Sequence, residues 1–353
     1  MHDRLVGVPP TSAVLDSMAA KIASGDALGA AMEAMENPAF YNTTVRDLAT
    51  PWTNREQSVY ADLNDSTATV IGMIRDDVPF DQVLYEDIVY VGSAAATNIA
   101  YSQSDNEHYS DLEQNRVDLS NPVNLERRLQ SDLVALGPAD TAGVMTTRGF
   151  SEAFLIAGTN RAAIRFSAMN FMCMDMDDFR DVTAWPDRIR QDVTRSPGGD
   201  SNLFLTDCLG CHAGLDSLAG AFAFYDFDET TGQLVHTPGN VQAKYLNDAG
   251  TFPLGFVTIG DSWINYWRSG PNAFVGWNGP GSGQGAKSLG TELAQTRMFS
   301  ECQVKQVFEK ICYRTPNGAA DVQAVQTIAN SFEANNRSMK RIFAETSAYC
   351  MGN

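Results

Sequence analysis

The chain has 353 residues, 44% apolar and 19% charged, which suits a folded protein of two or three modules and excludes a disordered one. Lys plus Arg number 25 against 43 Asp plus Glu, a net charge of −18 that argues against nucleic acid and anionic membrane surfaces. No run approaches the ~20 apolar residues of a membrane span, so no transmembrane segment is expected.

In chain order, residues 12–34 place Val14, Leu15, Met18 and Ile22 at helical spacing. A start signal at Pro9-Pro10-Thr11-Ser12 precedes them and a stop at Asn37-Pro38 follows. Helices are predicted over 53–63, 66–75 and 80–89, each beside a Pro, Asn or Asp break. Residues 100–140 are polar and weakly periodic, and read as long loops with a helix over 125–136. A helix over 149–174 leads into an acidic, loop-like stretch ending at Asp200. Short strands are predicted at 234–235 and 256–259, and a flexible glycine-rich surface loop at 276–290. Two or three helices close the chain over 289–315 and 320–349.

The chemistry concentrates in Cys208-Leu209-Gly210-Cys211-His212. Cysteines at i and i+3 share one side of a helical turn, so both thiols can add across the vinyl groups of one haem. The next residue, His212, then lies under the iron as proximal ligand. A zinc site would need a second ligand pair at finger-like spacing, and a redox dithiol would need a βαβ context; neither is visible. The cofactor expected is one covalent haem c.

The distal ligand is left open among His236, Met169 and Met172, with Met174 and Met176 in the same cluster and an open or water-occupied position as a further option. Methionines on an apolar helix are ordinarily core, and a turn histidine is ordinarily solvated. His2 and His108 read as surface residues. Arg188, Arg190 and Arg195 precede the motif, where one could pair with a propionate, a solvent ion pair being the simpler role. Trp263, Tyr266, Trp267 and Trp277 are candidates to wall the haem or to pack the core. The run from Gly281 to Ser288 lacks the glycine directly before lysine that a phosphate-binding loop needs.

Cys173, Cys302, Cys312 and Cys350 remain, giving two disulfides with three possible pairings, or four buried thiols. Met1-His2-Asp3-Arg4 lacks the apolar core of a signal peptide, and haem attachment normally follows export, so the expectation is a trimmed leader or anchor, or a piece of a longer protein.

The run CLGCHAGLDSLAGAFAFYDFD resembles the haem-motif module of large bacterial cytochrome c-like proteins. There a small residue, Asp-Pro-Leu-Gly and an aromatic-Asp ending follow Cys-x-x-Cys-His. Asp216, Leu218, Ala219 and residues 224–227 fit, with Ser217 in place of the proline and Ala219 in place of the glycine. Residues 4–11 and 76–88 resemble the earlier helical module of those proteins, and residues 299–343 their C-terminal helical module. The resemblance implies a haem-bearing, exported, often surface-attached protein, and carries over Cys208, Cys211 and His212 only.

The fold class expected is therefore mainly α, with helical modules around a c-type haem site and a small β or irregular insertion after the motif. The modules are expected at 1–140, 141–290 and 291–353. The function expected is electron transfer by an exported mono-haem cytochrome, periplasmic, extracellular or at the cell surface, toward a redox partner that the negative charge would favour if cationic. A haem enzyme of peroxidase or oxygenase type with an open distal site is the alternative, because the chain is long for an electron carrier. A haem-bearing subunit of an extracellular assembly is the second alternative.

Overall fold

Residues 1–156, 158–194 and 200–351 are described by the computed structural model, and the chain is mainly helical. Several helices form where a capping side chain and an apolar stripe coincide. Thr11 caps Ser12–Ala23, Asn64 caps Asp65–Arg75, Thr296 caps Arg297–Cys312 and Ser338 caps Met339–Cys350, each by accepting a backbone N–H in the first turn. No helix among the described residues is long and apolar enough to cross a membrane.

Several predicted helices break or change type. Residues 12–34 split into Ser12–Ala23 and Ala27–Ala34 around Gly25, whose φ of 87° only glycine adopts readily. Residues 149–174 split into Arg148–Phe154 and Arg161–Met172. Between them Asn160 holds a left-handed backbone, and its Nδ2 donates to the carbonyls of Phe222 and Tyr225. No helix forms over 54–63, where the Asn54 side chain takes over backbone partners, donating to the Thr50 carbonyl and accepting from Ser58 N.

No α-helix forms at 80–89 or 125–136, where short 3-10 turns flank strands instead. A short 3-10 turn, Phe80–Leu84, leads to the strand Val89–Gly92, which pairs antiparallel with Leu125–Arg128. The run Ile88-Val89-Tyr90-Val91 suits a buried strand, and its partner lies too far along the chain for local periodicity to reveal. The polar stretch between them holds the helix Glu107–Gln114, which turns His108, Tyr109 and Leu112 inward.

The expected β insertion after the motif is present. Tyr225–Asp228 pairs with Gln233–His236, and Ser262–Ile264 pairs with Ser282–Gln284. Of the strand expected at 256–259, only a bridge between Phe256 and Arg190 forms. The glycine-rich run is a strand and the start of the helix Gly285–Ala294 rather than a flexible loop, with Ala286 fully buried. Four helices close the chain, ending with Arg297–Cys312, Gly318–Ala334 and Met339–Cys350.

One contiguous apolar core draws on all three expected modules. Phe40 meets Phe343 edge-on at 4.9 Å between ring centroids, and Phe80 and Phe299 approach to 6.3 Å. Cys173 pairs with Cys302 and Cys312 with Cys350, at Cα separations of 5.3 and 5.7 Å that a disulfide spans without strain in the backbone.

Candidate functional site

The motif closes a short π-helical turn, Phe204–Cys208, and opens the helix Leu209–Ala219. Two glycines let that helix sit close to its neighbours. A Cβ on Gly214 would come within 2.1 Å of the Trp267 ring, and one on Gly210 within 2.9 Å of Arg180 Cγ. Trp267 is itself stacked on Phe179 at 4.5 Å. Of the four aromatic wall candidates, Trp267 is the one that touches the motif helix at this glycine. Trp263 and Trp277 are buried and donate to Ser288 Oγ and to the Asn272 carbonyl.

Cys208, Cys211 and His212 share one turn. The two cysteines remain thiols, both half-buried, while the other four cysteines pair off. Burial pushes the Cys211 thiol up, and its Sγ lies 3.4 Å from the Met176 carbonyl. Cys208 and Leu209 rest on a small apolar cluster of Ile189, Val193, Phe204 and Ala213, separate from the main core, against which Cys211 packs.

Behind His212 lies a set of buried charges. Its Nδ1 is 3.1 Å from Asp216 Oδ1, one helical turn on, and the Asp216 side chain has 0% exposure. Arg161 donates to both oxygens of Asp216, at 2.5 and 3.0 Å, and to both oxygens of Asp192, at 2.9 and 3.1 Å. The Arg190 backbone N–H reaches Asp216 Oδ2 at 3.3 Å, and its guanidinium lies over the Tyr245 ring and donates to Thr159. Burial works to raise the Asp216 carboxyl, but the hydrogen bond with His212 and the charge of Arg161 outweigh it and hold the group well below the usual carboxylate range.

The structure separates the other expected site residues. His236 ends a strand, its ring 4.4 Å from that of Tyr225 and its Nδ1 3.9 Å from Asp140 Oδ2. Burial pushes its imidazole down, against the opposing pull of Asp140 and Asp261. Met169 lines an open groove of about 620 Å³ with Trp52, Cys173 and Gln306, and Met172 is fully buried in the main core. Met174 and Met176 are buried too, and the Met176 carbonyl meets Cys211 Sγ.

Arg190, offered as a propionate partner, is buried within the charge network. Arg188 is half-exposed at the surface with its guanidinium 4.5 Å from the Phe256 ring centroid, and Arg195 lies outside the described residues. His2 and His108 are buried rather than on the surface. His108 Nδ1 meets the Ile99 carbonyl and its Nε2 accepts from Gly92 N, while His2 Nδ1 meets the Val8 carbonyl.

The residues present fit a covalent haem on two grounds. The donor set is two thiols and an imidazole whose Nδ1 is engaged by a carboxylate, which leaves Nε2 as the ligating atom. Large apolar side chains also face solvent on the segments around the motif: Val182, Trp185 (72% exposed), Leu203 and Leu205 before it, and Leu254 and Ile259 on the segment that hydrogen-bonds to Ile189 and Gln191. A flat apolar group seated on the motif would cover such surface. Sequence reasoning missed Arg161 and Asp192, and placed Asp216 only by resemblance. The His212–Asp216 spacing of four was the available signal; nothing local points to Arg161, 55 residues from Asp216.

Comparison of the chain with family models, with curated proteins and with solved structures finds no match.

Proposed function

We propose that this chain is an exported c-type haem protein, with one haem held at Cys208 and Cys211 and ligated by His212, and that it acts in electron transfer. The observation that carries the reading is the sorting of the six cysteines. Four lie in pairs within bonding distance, and the two that remain thiols are those one turn apart beside His212. When bound, the haem supplies a one-electron iron couple. Cys208 and Cys211 anchor it, His212 presents Nε2 to it, and the exposed apolar side chains before and after the motif shield it from water. The half-exposed setting of Cys208 and Cys211 keeps an edge near solvent, within reach of a partner protein.

The paired cysteines favour an oxidising compartment, periplasmic, extracellular or at the cell surface. The net charge of −18 favours a cationic redox partner. The likeness to large bacterial cytochrome c-like proteins accords with this reading.

A haem enzyme is the second reading. The buried carboxylate against His212 and the placement of His236 and Met169 in other surroundings favour it. Absorption spectra of the exported protein, ferric and ferrous, with and without carbon monoxide, separate the two. A low-spin spectrum indifferent to carbon monoxide is expected for electron transfer. A high-spin ferric form with ready carbon monoxide binding when reduced would overturn it in favour of the enzyme.

A further inference from the structure

The carboxylate that meets His212 is fixed from every side. Asp216 lies on the same helix, one turn after His212, with Oδ1 3.1 Å from His212 Nδ1. Arg161 holds both of its oxygens in a fork, and Arg190 N adds a contact to Oδ2. Arg161 cannot swing away, because its other edge is held by both oxygens of Asp192. A helical pair on an exposed face would need none of this burial. Here a carboxylate with 0% side-chain exposure is aimed at an imidazole that is 26% exposed.

We propose that Asp216 is a positioning residue for His212, fixing the tautomer with the proton on Nδ1 and the lone pair of Nε2 outward, and that Arg161 sets how strongly it does so. This rests on the haem reading and deepens it. An imidazole that donates to a carboxylate gains negative character at Nε2 and becomes a stronger donor to a metal. A stronger donor stabilises the ferric iron over the ferrous, which lowers the reduction potential. Arg161 draws on the same carboxylate, so it weakens the pull on His212 and moves the potential the other way.

The two residues therefore predict shifts of opposite sign, which a merely structural role would not give. In the haem-loaded exported protein, Asp216→Asn keeps the shape but offers His212 a weaker acceptor. It should favour the ferrous form on the order of tenfold, the range of effects seen for partners of metal ligands, or about 59 mV for a one-electron couple. Arg161→Lys keeps the positive charge but loses the fork, leaving more of the carboxylate's charge on His212. It should shift the equilibrium severalfold toward the ferric form. Redox titration followed in the visible spectrum reads both, and Arg161→Lys alone suffices if Asp216→Asn does not fold. Covalent haem retained with potentials unchanged in the variants, or shifted in the same direction, would overturn the inference and leave the haem reading intact. An unaltered protein that carries no covalent haem would overturn the haem reading itself.

Discussion

The C-terminal helices and the motif region are held together by different means. In the first, Arg297–Cys312, Gly318–Ala334 and Met339–Cys350 bury Phe299, Val304, Val307, Phe332, Ile342 and Phe343 in the common core, and both cysteine pairs staple this layer. In the second, the motif helix adds Leu215, Leu218 and Ala219 to that core and rests on a separate cluster of four buried side chains, while Arg161, Asp192, Arg190 and Asp216 meet in the interior. Apolar burial is non-directional and tolerates small changes of shape. A buried charge set tolerates little, because removing one member strands the others. The motif region thus gives up tolerance in exchange for a fixed geometry behind His212.

The largest effect expected falls on the motif itself. Cys208→Ala or Cys211→Ala should reduce covalent haem at least on the order of tenfold, the scale on which loss of a site component acts. Circular dichroism should show the helical content unchanged, because both thiols are only half-buried, Cys208 against the small cluster and Cys211 at the edge of the main core. Haem retained at the parental level would break the distinction between these two cysteines and the four paired ones.

Next in size is the charge set. Arg161→Leu leaves Asp216 and Asp192 without their shared cation and should cost about 3–5 kcal/mol in urea unfolding. Arg165 lies on the same helix and pairs with Asp175 in solvent, so Arg165→Leu should cost about 0–1 kcal/mol. Equal costs would mean that the interior set does not act as a unit.

Loss of a staple should come next, at about 2–4 kcal/mol. Cys173 and Cys302 are 129 residues apart against 38 for Cys312 and Cys350, so Cys302→Ser should cost more than Cys350→Ser. The reverse order in a thermal scan would contradict the loop argument.

The smallest effect concerns His236. Its folded imidazole is pushed below its ordinary value, so the unfolded chain binds more protons in the window between that depressed value and about 6.5. Stability from this site is present above about pH 6.5 and falls as the pH drops through the window. His236→Gln should flatten unfolding free energy against pH there, and an unchanged slope would show that burial beside Tyr225 does not hold the ring neutral.

What was legible in the sequence was local. Cys208, Cys211 and His212 lie within one turn, and spacing alone singles them out as the candidate site. The helix start at Thr11 is likewise written in its capping side chain. The strand Val89–Gly92, which starts where the helix predicted over 80–89 ends, is not legible because its partner strand begins 33 residues on, at Leu125, and pairing at that distance leaves no periodic trace. His108 was placed at the surface because its acceptor and donor partners, Ile99 and Gly92, come together only when the strand and the helix Glu107–Gln114 pack. Arg161 was silent for the same reason, since its role depends on two carboxylates brought in from residues 192 and 216.

Covalent attachment at the motif is read most simply by acid–acetone extraction of the unaltered protein after export from a host that attaches haem c. With haem bonded to Cys208 and Cys211, the haem absorbance stays with the precipitated polypeptide and the intact mass exceeds the apo-protein by one haem. Absorbance that passes into the acetone, or a mass equal to the bare chain with Cys208 and Cys211 joined to each other, would contradict it.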